Sequence, residues 1–348
     1  MKRFFARLGY TLLVLWGVVT AVFLLFNVLP GDPARLTLGQ RTDLATIEAA
    51  QKALHLDQPV WVRYGYYLAD LSPITVQDAC PEVRNQYHSV RLLPLGSREL
   101  VLKPPYLGTS YRTQRPVTAI LTEAFPGTLI LAFSALLIAA VLGIGLGTLA
   151  AVYKGTWIDT GALAASVAGI SLPSFFAGLL VAYTFGYLLQ PYTGLSMTGS
   201  LWEWDAFGGR HLNIQNLILP ALALGIRPLA IITQLTRSAL LDSLSQDYIR
   251  TARAKGLPER RVVARHALPN ALNPVLTAIS GWLAELLAGS FFVEYIFGWK
   301  GLGKLTVDAL DKFDFPVVMG AVLLTAVLFL VVNFFTDLLY QVLDPRVR

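Results

Sequence analysis

The stretch GWKGLGKL, Gly298 to Leu305, comes close to the phosphate-cradling pattern G-x-x-x-x-G-K-S/T. In that pattern the final hydroxyl holds Mg²⁺ and a strand precedes the glycines. Here the hydroxyl position is Leu305 and no strand-like run leads in, so nucleotide chemistry is not expected of this loop. Metal chemistry is no better served: Cys80 is the single cysteine, and His55, His88, His211 and His266 have no H-x-x-x-H or similar spacing. The hydrolase patterns H-E-x-x-H and G-x-S-x-G are absent from the sequence. What remains is electrostatic. Arg227 and Glu285 fall inside apolar runs, where a charge is costly and marks function by default. Seven basic residues, Arg237, Arg250, Arg253, Lys255, Arg260, Arg261 and Arg265, crowd around the turn Gly256-Leu257-Pro258.

The elements that must position these charges follow from composition. The 348 residues are 55% hydrophobic and only 14% charged, with a mean hydropathy of +0.55. A water-facing surface needs more charge than this, so the chain reads as a multi-span membrane protein. Its net charge of +6 sits beside apolar segments, as cytoplasmic membrane flanks do, and points to lipid rather than nucleic acid.

The first apolar run, Gly9 to Leu29, follows a basic start and lacks a cleavage pattern, so it is expected to stay as a spanning helix. Five more candidates of about 20 apolar residues are Thr128 to Tyr153, Thr160 to Leu189, Leu217 to Leu240, Pro269 to Phe297 and Pro316 to Tyr340. Pro173 should kink the third, and Gly143, Gly145 and Gly147 should let two backbones approach. Lys2, Arg3, Arg7, the basic interval, Arg346 and Arg348 all fall inside if both termini are cytoplasmic. The expected fold is an all-α polytopic membrane protein of six transmembrane helices. Its expected segments are residues 1–30 as the first helix, 31–126 as an enlarged extracytoplasmic insertion of short helices and strands, and 127–348 as a five-helix core.

Read at helical period, Ser245 to Lys255 places Tyr248, Ile249 and Ala252 on one face and fans Arg250, Arg253 and Lys255 over the others. Gly256 supplies a left-handed helix stop, and Pro258 with Glu259 restarts a helix that continues to about His266 and runs directly into the fifth apolar run. A short helix, a sharp turn and another short helix on the cytoplasmic surface, at about 245–266, are therefore expected. A basic loop lying on lipid headgroups has the same composition.

The interval from Gly256 to His266-Ala267-Leu268-Pro269 resembles the EAA motif of ABC importer permeases, and TARAKG, RHALPNALNPV and LTRSALLDSLSQDYIR are similar to its peptide and nickel branch. LPGDPA, LDQPVWVRYGYYL, GTSYRTQRPV, VEYIFGWKGLG and FDFPVVMGAVLL extend the resemblance, in order, over most of the chain. Departures are Arg250, Thr251 and Ala252 in the Glu-Ala-Ala positions, His266 for an aliphatic residue, Lys300 for a proline, and an enlarged segment at 72–105. The resemblance implies a bacterial or archaeal inner-membrane permease for peptides, with nickel or a peptide-like solute such as glutathione as alternatives. Without that motif, an ATP-independent channel or a membrane-embedded enzyme fits the span count equally.

The implied partners are a second homologous permease, two cytoplasmic ATPase subunits or domains that carry the ATP and Mg, and an extracytoplasmic binding protein; no cofactor is expected on this chain. The implied ATPase-coupling surface is Asp247, Tyr248, Arg250, Thr251, Ala252, Arg253, Ala254, Lys255, Gly256, Leu257 and Pro258, with Tyr248 and Ala252 packed in the ATPase groove. Arg227 and Glu285, counted near mid-bilayer, are expected either to line the path or to form a packing pair or a contact with the second permease. Glu294 matches a family glutamate with a gate or packing role.

Overall fold

The computed structural model describes residues 2–27, 58–78, 89–205 and 209–343. Two compact units divide the chain, Met1–Glu123 with Thr306–Ala326, and Ala124–Leu305 with Val327–Arg348.

In the first unit, α1 (Lys2–Asn27) contains the apolar run Gly9–Phe26. Its Phe23 is buried against Tyr64 and Tyr67 of α2 (Val60–Leu71), at ring separations of 5.1 and 5.5 Å. Then come β1 (Ile74–Asp78), β2 (Val90–Leu95) and β3 (Arg98–Leu102), an antiparallel sheet in the order β1-β3-β2. Gly96, at φ +73°, supplies the positive dihedral that the two-residue loop between β2 and β3 needs. The expected helix-then-strand insertion is thus present. Beyond it, the Asp314 carboxylate accepts from the Ser110 hydroxyl at 2.5 Å and the Tyr111 N–H at 2.9 Å. Burial, then the nearby Asp314 charge, push the Tyr111 phenol up to about 12.

The next helix, α3 (Val117–Val152), starts before the expected segment boundary at 126 and continues through Pro126. A proline costs one helical hydrogen bond but does not end a helix that neighbouring structure holds. That hold is visible one residue on. The Trp299 indole N–H donates to the Gly127 carbonyl at 2.9 Å, and a Cβ on Gly127 would lie 2.0 Å from the Lys300 carbonyl oxygen.

The third apolar run is not one kinked helix. It comprises α4 (Trp157–Ser171) and α5 (Ser174–Leu188), bent by 113°. Leu172 takes an extended ψ of 127° because the ring of Pro173 disfavours the helical conformation before it. Among the described residues, five helices are long and apolar enough to cross a membrane, or six with this bent pair as one span. A hairpin of β4 (Trp202–Asp205) and β5 (Gly209–Leu212), which sequence reading did not anticipate, precedes α6 (Gln215–Leu244).

Helix α6 is central to the second unit. Gly143 and Gly147 of α3 face it: added Cβ atoms would lie 2.8 Å from the Ile232 side chain and 2.5 Å from the Thr233 carbonyl oxygen. Gly145 meets nothing within 4 Å. Two glycines four apart share a helix face, whereas the residue between them points away. Leu131, Ala135, Leu219, Leu224, Leu287 and Trp299 belong to the main buried cluster.

Candidate functional site

The segment expected to couple to an ATPase begins at α7 (Asp247–Ala254), three residues after α6 ends. Gly256 has φ +76°, a region that only glycine enters freely, and Pro258 caps the helix beginning at Glu259. That helix runs on into the fifth apolar run as expected. It continues as α8 (Glu259–Gly289), through a π-helical stretch at Val262–Ala267, into the fifth span. Arg253 braces the turn by donating Nε to Glu259 Oε2 at 3.1 Å and Nη2 to Oε1 at 2.6 Å. This contact raises the pKa of the Arg253 guanidinium above its ordinary value.

Beneath the turn, Ile249 and Ala252 are buried with Ala151, Leu240, Val262 and Ala267. Here the structure corrects the sequence reading. Ala252 packs against its own chain, because the apolar face of a short surface helix is consumed in seating it. Tyr248 remains 43% exposed, with its hydroxyl 2.6 Å from that of Ser243, which donates to the Ala267 carbonyl at 3.0 Å. The face turned outward carries Asp247, Tyr248, Arg250, Thr251, Arg253, Ala254, Lys255, Gly256 and Pro258, whereas Leu257 is half-buried against the cluster. Arg250 Nη1 donates to Asp247 Oδ1 at 3.3 Å. The surface is basic, and the cluster beneath it draws on α3, α6 and α8.

Arg227 and Glu285 come together, with Nη1 3.9 Å from Oε1 and side chains 46% and 55% exposed. The Arg227 guanidinium also lies 5.9 Å from the centre of the Trp282 ring. The end of the segment that carries Glu285 needs correcting. Its helix stops at Gly289 instead of continuing to Phe297, leaving Glu285 ~6 Å from the helix end.

Glu294 lies in α9 (Phe291–Ile296) and is fully buried. Four donors converge on it. The Thr128 and Ser290 hydroxyls donate to Oε1 at 2.8 and 2.7 Å, and the Gly303 and Lys304 N–H groups to Oε2 at 2.7 and 3.2 Å. Thr128 Oγ1 in turn accepts from the Leu302 N–H at 2.8 Å. These backbone donors open α10 (Leu302–Asp311), where free N–H groups favour an anion. Of the gate and packing roles, burial supports packing. The glycines of the GWKGLGKL loop now have a physical cause. A Cβ on Gly301 would fall 2.4 Å from Glu294 Oε2, and one on Gly303 2.4 Å from the Phe291 Cα. The N–H groups that could have met a phosphate already bind the chain's own carboxylate.

Sequence reasoning missed two partners. Thr128 carried no signal, and Arg237 was counted with the basic loop although it projects from α6 to Asp159 of α4. An acidic residue in the first turn of an apolar helix was the available clue to Asp159.

Residues 143–348 match the family described as binding-protein-dependent transport system inner membrane component. Residues 1–82 match the N-terminal region described for the same kind of membrane component. The chain is 38% identical to a probable D,D-dipeptide transport system permease of Escherichia coli, covering 96% of this chain and 94% of the relative. It is 36% identical to a di/tripeptide transport system permease of Pseudomonas aeruginosa, covering 100% and 99%. With a glutathione transport system permease of Salmonella choleraesuis the identity is 35%, over 95% and 94%. Among solved structures, a chain of the inward-facing MetNI methionine ABC transporter superposes with a TM-score of 0.51 at 18% identity, covering 65% of this chain and 97% of that one. This last likeness concerns fold alone.

Proposed function

Since the chain belongs to the family of binding-protein-dependent transport system inner-membrane components and is a transmembrane permease subunit of an ABC importer, we propose that its cargo is short peptides and that α7 with the Gly256 turn is its contact with a cytoplasmic ATPase. The observation that carries the coupling reading is the seating of that turn. A basic, outward-facing element is braced by Arg253 and Glu259 and set on an apolar cluster drawn from α3, α6 and α8. Force applied there reaches three membrane helices through close-packed side chains, which transmit displacement because protein interiors compress little.

The peptide reading rests on the dipeptide and di/tripeptide relatives, which match along almost their whole length. The glutathione relative favours a second reading, a peptide-like solute with a γ-linked glutamate. In either case ATP and Mg belong to two ATPase subunits or domains, a second permease completes the pathway, and an extracytoplasmic protein delivers the cargo. Both termini then lie on the cytoplasmic side with the ATPases.

The test is isolation of the tagged chain with its partners from native membranes, followed by reconstitution in lipid vesicles. Uptake of a labelled dipeptide that consumes ATP supports the proposal. Uptake of glutathione in preference selects the second reading, and accumulation of nickel without peptide overturns both. Recovery of the chain without an ATPase, and inert to ATP, overturns the coupling assignment.

A further inference from the structure

Asp159 and Arg237 join α4 to α6 close to the coupling segment. Arg237 donates Nε to Asp159 Oδ1 at 2.5 Å and Nη2 to Oδ2 at 2.8 Å, and the Gly155 N–H adds a third donor to Oδ2 at 2.9 Å. The side chains are only 21% and 6% exposed. Such a two-pronged contact fixes orientation as well as separation.

The two helices meet again farther along. Gly169 approaches α6 so closely that an added Cβ would lie 3.2 Å from the Ala230 Cβ and 3.3 Å from the Ile226 side chain. Along these contacts runs an open, largely apolar pocket of about 520 Å³, lined by Leu149 of α3, by Ala162 and Ala165 of α4, and by Leu229 and Thr233 of α6. The ion pair ties the N-terminal end of α4 to α6 about 15 Å from the Gly169 contact. Just past Gly169, α4 ends at the 113° bend. At the other end of the relay, Leu240 lies one helical turn beyond Arg237 and is buried in the cluster beneath α7.

We infer that Asp159 and Arg237 are positioning residues of the transport cycle: they pass displacement of α7 and the end of α6 to α4, which turns about its Leu172-Pro173 bend. This inference rests on the coupling role proposed above for α7. The pocket beside the two helices leaves α4 room to change its angle, and the ion pair sets which angle accompanies a given position of α6. The pair thus acts as a latch between the ATPase-facing segment and the bent span.

The test uses the complete importer, isolated with its partners and reconstituted in vesicles with its binding protein, with dipeptide uptake and ATP hydrolysis measured on the same sample. Asp159→Asn and Arg237→Gln are expected to lower peptide taken up per ATP by about tenfold at an unchanged amount of assembled complex. The swap Asp159→Arg with Arg237→Asp should recover a substantial part of that ratio, although not the Gly155 contact. Single variants that assemble and keep the wild-type ratio overturn the latch, even if they melt earlier, because a purely structural bond changes the amount of complex and not its stoichiometry. If the single variants fail to assemble, the swap decides: recovered assembly with a recovered ratio supports the latch, and any other result overturns it. A wild-type complex without ATP-dependent uptake fails before the variants are compared and overturns the coupling reading beneath the latch. Uncoupling by Gly256→Val but not by Asp159→Asn overturns the latch alone.

Discussion

Glu294→Ala removes the acceptor for four donors at once. The Gly303 N–H, at 2.7 Å from the carboxylate, is left buried without an acceptor, and the Lys304 N–H loses a longer bond of 3.2 Å. A buried donor stripped of its partner costs about 1–3 kcal/mol. The Thr128 and Ser290 hydroxyls can rotate and lose less, but the missing methylenes leave a void that costs further. The sum is a loss of about 3–5 kcal/mol. Glu294→Gln keeps the shape. Its amide oxygen can accept from Gly303 and Lys304 while its NH₂ donates to the two hydroxyl oxygens, each of which has acceptor capacity to spare. The loss should then be about 1 kcal/mol, the difference between a charge-assisted and a neutral set of bonds. The assay is denaturant unfolding of the purified chain in mild detergent, followed by circular dichroism, with the order wild type, Gln, Ala. An alanine variant as stable as wild type, or a glutamine variant as weak as alanine, would show that the carboxylate does not hold the start of α10.

Other consequences are sharper at single atoms. Gly127→Ala should destabilise the chain by more than ~2 kcal/mol, because its methyl meets the backbone carbonyl of Lys300, which cannot rotate away; unfolding measurements equal to wild type would refute this contact. At Gly256 space is open and only the dihedral resists. Asn should be tolerated, whereas Val should cost about 1–2 kcal/mol or more and reduce ATP-coupled uptake; equal uptake by the two variants would contradict the rigid turn. Neutralising Arg227 or Glu285 should change stability by less than ~1 kcal/mol, since the pair is half-exposed and long. If the two line the path, the KM for dipeptide shifts in both variants; an unchanged KM leaves them as packing or subunit contacts.

The sequence alone determined the features whose cause is local. Apolar runs of membrane length locate the spans, because burying helical hydrogen bonds in lipid demands them. The alternating stretches of the insertion point to strand, and the dihedral demands of Gly256 and Pro258 locate the turn expected to couple. Helix ends were less legible. The chain passes helically through Pro126, where Gly127 packs against Lys300 and Trp299, and breaks completely at Pro173, where Leu172 turns extended.

Tertiary structure alone decided which polar side chains meet. Glu294 finds Thr128 across 166 positions of sequence, and Arg237 finds Asp159 across 78. Those meetings depend on the rotation and offset of whole helices, set by where Gly127, Gly143, Gly147 and Gly169 let backbones approach. The same packing turned Ala252 inward and left Tyr248 at the surface. Periodicity says which residues share a helix face, but not which face a neighbouring helix will cover.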